Sequence, residues 1–186
     1  YPLRRQRQMC IRDRANALGL TGSPFDAFLT LRGLRTLDAR LRVHQENTRA
    51  VVELLAASDA VSNVYYPGLE SHPGHAVAAR QQKGFGAMLS FELAACQGDD
   101  PYAAVRAFLD GLHYFTLAES LGGVESLVAH PATMTHAAMS ADARAAAGIS
   151  ECLLRLSVGI ESSEDLVADL QAGLARAAKV LSLIHI

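Results

Sequence analysis

The spacing of hydrophobic positions changes character along this chain. From Pro24 to Ala57 it is helical: Phe28, Leu31, Leu34, Leu37, Leu41, Asn47, Val51, Leu54 and Leu55 fall mostly at three- and four-residue steps, with Arg32, Arg35, Arg40, Arg42 and Arg49 between them. Turn and cap chemistry in Thr21-Gly22-Ser23-Pro24 opens the segment, and little breaks it before Ser58. The pattern predicts one long amphipathic helix with a bend at Gly33, long enough to connect domains or to meet a second subunit.

Beyond Ser58 short apolar runs alternate with helical stretches. Val61 to Tyr66 reads as a strand stopped by Pro67-Gly68, His75 to Gln82 as a short helix, and Gly86 to Leu93 as a strand. Pro101 to Gly111 reads as a helix opened by Asp99-Asp100-Pro101, and Tyr114 to Ala118 as a strand. Ala141 to Ala147 reads as a helix capped by Ser140, Leu153 to Ile160 as a strand, and the stretch from Ser162-Ser163-Glu164-Asp165 through Leu174 as a final helix. Alternating strands and helices with some very short connections imply an α+β domain, an α/β sandwich. Its sheet is mixed or antiparallel, with helices mainly on one face.

The ends read differently. Residues 1–14 concentrate arginines without an amphipathic period, and residues 182–186 run from a helix into an apolar tag. A basic tail for nucleic acid or membrane is one reading of the first segment. The favoured expectation is that both segments are non-native ends of an internal fragment.

Composition narrows the function classes. With 186 residues, 50% hydrophobic, 19% charged and a net charge of -2, the chain has material for one sizeable core. Disorder and electrostatic capture of nucleic acid are poorly supported. No apolar run is long enough for a bilayer and no secretory signal opens the chain, so no membrane or nucleic-acid partner is expected and a cytoplasmic location is. Cys10, Cys96 and Cys152 have neither metal-like nor redox-like spacing, and no disulfide framework is implied.

Two stretches carry candidate chemistry. Glu119-Ser120-Leu121-Gly122-Gly123 places an acid, a hydroxyl and a flexible Gly-Gly pair at the end of a strand. Arg155 sits inside the apolar run Cys152 to Ile160, where an unpaired guanidinium would be very costly. Either it pairs with a carboxylate such as Glu119, Glu151 or Glu161, or it faces a ligand carboxylate, and strand context alone leaves both open. Together the two stretches suggest a carboxylate-binding pocket.

Other candidates are weaker. Lys83 and Lys179, the two lysines, read as cations at helix ends rather than as Schiff-base nucleophiles. His130 and His136 match no metal spacing, so no metal is expected. The glycines form no phosphate loop, and Ser120 lies in no Gly-x-Ser-x-Gly elbow.

Several motifs resemble the C-terminal part of the Cys/Met-metabolism family of pyridoxal-phosphate enzymes, and within it the cystathionine gamma-synthase branch. They are Asn16 to Asp26, Leu29 to Leu37, Ala78-Ala79-Arg80-Gln81-Gln82-Lys83-Gly84-Phe85-Gly86 through Phe91, Glu119 through Leu127, and Leu154-Arg155-Leu156-Ser157-Val158-Gly159-Ile160-Glu161. The resemblance runs in register from Ala15 to Leu181. It implies the C-terminal small domain of a fold-type I enzyme over residues 58–181, with residues 15–57 forming the end of the large domain and a long connecting helix. The Schiff-base lysine and the main cofactor-binding residues are then expected upstream, so no catalytic or cofactor-binding residue is assigned within this sequence.

The resemblance further implies that Arg155 grips the substrate α-carboxylate, that Ser120 assists through its backbone, and that Glu119 favours γ-substituted amino acids. The implied cofactor is pyridoxal 5'-phosphate and the implied partners are amino-acid substrates and further copies of the same subunit, as a homotetramer. The implied reaction is γ-replacement, in which cysteine sulfur displaces the acyl group of an O-acylated homoserine to give cystathionine. Cystathionine gamma-lyase and O-acylhomoserine sulfhydrylase share the framework and remain alternatives. A free-standing amino-acid-binding regulatory domain is the alternative of a different class.

Overall fold

The computed structural model describes residues 2–19, 22–94, 100 and 102–184, which form two compact units divided between Asp38 and Ala39. In the first unit, α1 (Pro2–Leu18) is helical although its sequence has no amphipathic period. Arginine, glutamine, methionine, alanine and leucine are good helix formers, and nothing interrupts them before Gly19, whose φ of 66° terminates the turn. In α2 (Pro24–Leu34) the Ser23 hydroxyl accepts from the N–H groups of Phe25 and Asp26, and Pro24 follows at the first turn. Thr21 of the expected cap lies outside the described residues.

The single long helix expected from Pro24 to Ala57 is two helices. The N–H and hydroxyl of Thr36 both turn back onto the Gly33 carbonyl at 3.3 Å. The chain pauses there and resumes as α3 (Leu37–Ala56).

The second unit is built on a five-stranded sheet of order β1-β2-β5-β4-β3: β1 (Val61–Tyr65), β2 (Met88–Leu93), β3 (Thr116–Leu117), β4 (Leu127–Ala129) and β5 (Leu153–Ser157). All pairings are antiparallel except β3 with β4, so the sheet is mixed. Directly opposed residues share a face. Leu89 opposite Leu156 and Phe91 opposite Leu154 therefore line one side. That side packs against Val51 and Leu55 of α3, Phe108 of α5 (Ala103–Leu109) and Leu166, Leu170 and Leu174 of α7 (Ser163–Ile184). Phe91 and Phe108 are fully buried and meet edge-on at 5.5 Å. Each such ring contributes about 2–3 kcal/mol by leaving water. The other side of the sheet carries Ser90, Glu92, Arg155 and Ser157.

Differences from the expected strands have identifiable causes. β3 is shorter than Tyr114 to Ala118 because the buried Asp169 carboxylate of α7 accepts the N–H groups of His113, Tyr114 and Phe115, at 2.9, 2.9 and 3.2 Å. Those donors are unavailable to a ladder. β2 starts after Gly86, which adopts a φ of 77° and gives its carbonyl to the Tyr66 hydroxyl. β4 is an additional strand without a sequence signal: all three of its residues are buried, which removes the alternation that marks a half-exposed strand.

Asp99 and Pro101 of the expected helix start, and Cys96, lie outside the described residues. α4 (His75–Gln81) and α6 (Ala141–Ala146) lie where their patterns place them. Cys152 is disulfide-bonded, contrary to the sequence expectation. Among the described residues no helix is long and apolar enough to cross a membrane.

A polar cluster braces the entry to β5. The Glu151 carboxylate accepts from the Tyr102 hydroxyl and from Arg144 at 2.9 Å. Its carbonyl contacts Nε2 of the buried His130 at 2.9 Å. The Tyr102 hydrogen bond first, and the Arg144 guanidinium second, hold the Glu151 carboxyl below its ordinary value of 4.5. A carboxyl depressed in the folded state stabilises fully above its unfolded value and loses that contribution as pH falls through the folded value. Urea midpoints of the wild type should therefore exceed those of Glu151→Gln above about pH 4.5, with the gap closing as acid is added. A gap that stays constant across that range would refute the assignment.

Candidate functional site

β3 and β4 are parallel neighbours, and no tight turn can join such a pair, so residues 118–126 must cross the sheet. They cross on the face opposite the helices. Two residues of β5 on that face, Arg155 and Ser157, receive the loop. Arg155 Nη2 donates to the carbonyls of Glu119 at 3.1 Å and Ser120 at 3.3 Å. Two residues further along the loop, the Gly122 N–H donates to Ser157 Oγ at 2.8 Å. Gly122 has a φ of 78°, a conformation that strains any residue with a Cβ.

The guanidinium is thus only partly satisfied by protein. Of the acids that could have paired with it, Glu151 is engaged by Tyr102 and Arg144, and Glu161 by Ser126. Glu119 lends its carbonyl rather than its carboxylate. Among the described residues, Nε and Nη1 of Arg155 meet no acceptor, and Arg155 joins no ion pair. Both unused donors belong to a half-buried cation on the open side of the sheet. The fork of such a group matches a carboxylate.

A buried network secures the far end of the loop. Ser126 donates its N–H to Glu161 Oε1 at 2.6 Å and its hydroxyl to Oε2 at 2.8 Å, while Ser126 Oγ accepts the Gly159 N–H at 2.8 Å. Asn47 of α3 donates to the carbonyls of Gly159 and Glu161 at 3.1 and 2.8 Å, and His44 Nδ1 lies 2.6 Å from the Val158 carbonyl. β5 ends at Ser157 rather than running to Ile160 because these carbonyls turn toward α3 instead of a neighbouring strand. The Ile160 N–H then closes on the Val124 carbonyl at 2.9 Å.

The structure brings Arg155, Glu119 and Ser120 together, the latter two exposed on the loop. Neither lysine is on these elements: Lys83 follows α4, and Lys179 lies in α7. His130 is buried between Thr133 and the Glu151 carbonyl, and among the described residues no group of three or more His, Cys, Asp or Glu could hold a metal. Sequence reasoning missed Ser157, Ser126, Glu161, Asn47 and His44 as loop supports. Two signals were available: Ser157 alternates with Arg155 on one strand face, and Asn47 is a polar residue within an apolar helical stripe.

Comparison with known proteins extends this geometry. A model of the family described as Cys/Met metabolism PLP-dependent enzyme matches residues 4–175. Cystathionine gamma-synthase of Escherichia coli (strain K12) is 58% identical over 165 residues, covering 89% of this chain and 42% of that protein. Cystathionine beta-lyase of Lactococcus lactis subsp. cremoris (strain MG1363) is 48% identical over 161 residues, 87% of this chain and 41% of that protein. A crystal structure of cystathionine gamma synthase from Xanthomonas oryzae pv. oryzae, in complex with cystathionine, is 75% identical with a TM-score of 0.80, over 90% of this chain and 42% of that one. The chain therefore spans about two fifths of the length of these relatives.

Gly159, two residues past the end of β5, packs tightly against the loop. A Cβ there would lie 2.3 Å from the Val124 carbonyl oxygen and 2.7 Å from the Glu125 carbonyl carbon, both backbone atoms. Gly159→Ala should displace the loop and destabilise the protein by about 1–3 kcal/mol, read from the urea midpoint. An unchanged midpoint would mean that the contact is not tight in solution.

Proposed function

Because the chain belongs to the Cys/Met metabolism PLP-dependent enzymes, we propose that the longer protein of which it forms the C-terminal part is a cystathionine gamma-synthase. In the proposed reaction an O-acylated homoserine and cysteine give cystathionine and the free acid of the acyl group. The γ-carbon–oxygen bond breaks, a γ-carbon–sulfur bond forms, and the thiol proton leaves with the released acid. The carrying observation is the Arg155 guanidinium, held at Nη2 by two loop carbonyls with Nε and Nη1 free of protein acceptors among the described residues. Identities of 58% and 75% to two synthases support this branch of the family.

Pyridoxal phosphate, the cofactor of the full-length enzymes of this family, supplies an electron sink for the substrate when bound. Lys83 follows α4 and Lys179 lies in α7, neither on the strand or the loop that carries the site, so no residue here is assigned to the cofactor itself. The chain's part is recognition. Arg155 binds the substrate α-carboxylate in a bidentate manner and fixes which bond of the α-carbon is turned for reaction, a positioning effect of several kcal/mol. Ser120 contributes its carbonyl, which orients the guanidinium. The exposed Glu119 carboxylate accepts from the amino group of a γ-substituted substrate or of the incoming cysteine.

The proposed assembly is a cytoplasmic homotetramer. Support for a larger assembly comes from α2, which exposes Phe25, Phe28, Leu31 and Leu34.

In the full-length protein, Arg155→Ala should lower kcat/KM for cystathionine formation about 100-fold or more while the absorbance of the bound cofactor persists. Arg155→Lys should recover only part of the loss, because an ammonium lacks the planar fork. Cystathionine cleavage without net synthesis would shift the assignment to a lyase. Wild-type kinetics in Arg155→Ala would remove the carboxylate role.

A further inference from the structure

Ser157 stands out as a buried hydroxyl that the proposed chemistry does not use. It is 2% exposed, and β5 places it two residues from Arg155 on the same face, where Met88 and Leu127 oppose it across the neighbouring strands. Its Oγ accepts the Gly122 N–H at 2.8 Å. In the same loop Arg155 Nη2 takes the carbonyls of Glu119 and Ser120. Adjacent same-face positions of one strand therefore hold adjacent points of the loop, and Ser157 is attached beside the point where Arg155 is.

We propose that Ser157 is a positioning residue for carboxylate recognition: by holding the Gly122 N–H it sets the loop carbonyls that fix the rotamer of Arg155. Solvent competes for these contacts of the loop. Gly122, like Glu119 and Ser120, is exposed, so each of these groups can find water if the loop lifts. The loop carbonyls cannot hold the guanidinium unless something holds the loop. The Ser126–Glu161 pair and the Ile160 N–H on the Val124 carbonyl do so at the far end, but the Leu121 side chain nearer Arg155 is 53% exposed and anchors little. Gly122 is the attachment beside Arg155, and its φ of 78° aims the N–H at Oγ. With Ser157 removed, Nη2 loses its fixed acceptors and the fork no longer presents Nε and Nη1 in one orientation.

The proposal rests on the carboxylate reading of Arg155, so both are tested together in the full-length holoenzyme. The readout is discrimination between an O-acylated homoserine and its α-carboxamide, measured as a ratio of kcat/KM values for wild type, Arg155→Ala, Ser157→Ala and Ser157→Cys. Loss of packing alone lowers stability without changing that ratio. The expected result is a collapse of the ratio in Arg155→Ala and a reduction of about tenfold in Ser157→Ala, mostly through KM for the amino acid, with the cofactor absorbance retained. Ser157→Cys, close in size but a weak acceptor, should fall in the same direction, and it decides the matter if Ser157→Ala does not hold cofactor.

A collapse in Arg155→Ala with the wild-type ratio kept in the serine variants overturns the role of Ser157 alone. A wild-type ratio in Arg155→Ala overturns the carboxylate reading and this inference with it.

Discussion

The parallel pairing of β3 and β4 is the constraint on which the site depends. Strands of two and three residues lying side by side in the same direction need a connection that crosses the sheet, and here no helix provides it. One face is filled by α3, α5 and α7, so the connection runs over the other. The same crossing that completes the sheet edge therefore delivers Glu119, Ser120 and Gly122 onto the side chains of Arg155 and Ser157.

That arrangement needs the loop to be held from below, and buried polar groups do this at a cost that only complete pairing offsets. Glu161 receives two donors from Ser126, Ser126 receives the Gly159 N–H, and Asn47 satisfies two carbonyls. The network runs from α3 through the end of β5 to the loop. Every member has a partner, which is the condition for such a network to specify one geometry rather than weaken the core. Gly159 belongs to it for a steric reason, since the loop backbone occupies the space of a side chain.

Membership in the Cys/Met metabolism PLP-dependent enzymes gives this architecture a context. The helix-covered face carries the core and the open face carries Arg155 with its unused donors, and the proposed division of labour follows from that separation. A cofactor can act as an electron sink without choosing its substrate. A guanidinium fixed on a rigid strand, with donors left over, can choose for it.

Sequence alone determined much of this chain. Short apolar runs located β1, β2 and β5, caps located α2, α6 and α7, and Arg155 in an apolar strand announced an unusual cation, because these signals are local. The motifs that resemble the family are local signals of the same kind. What lay beyond the sequence was non-local. β4 is buried on both faces and shows no alternation. β3 is trimmed by a carboxylate more than fifty positions away. The break in the long helix is the local exception, where the N–H and hydroxyl of Thr36 turn back on the Gly33 carbonyl three residues earlier. The partners of Arg155 are decided only by tertiary structure, because three acids stood as candidates and the fold gives it two backbone carbonyls instead. Residue types and spacing set what a side chain can bind, and only the path of the loop across the sheet sets what it meets.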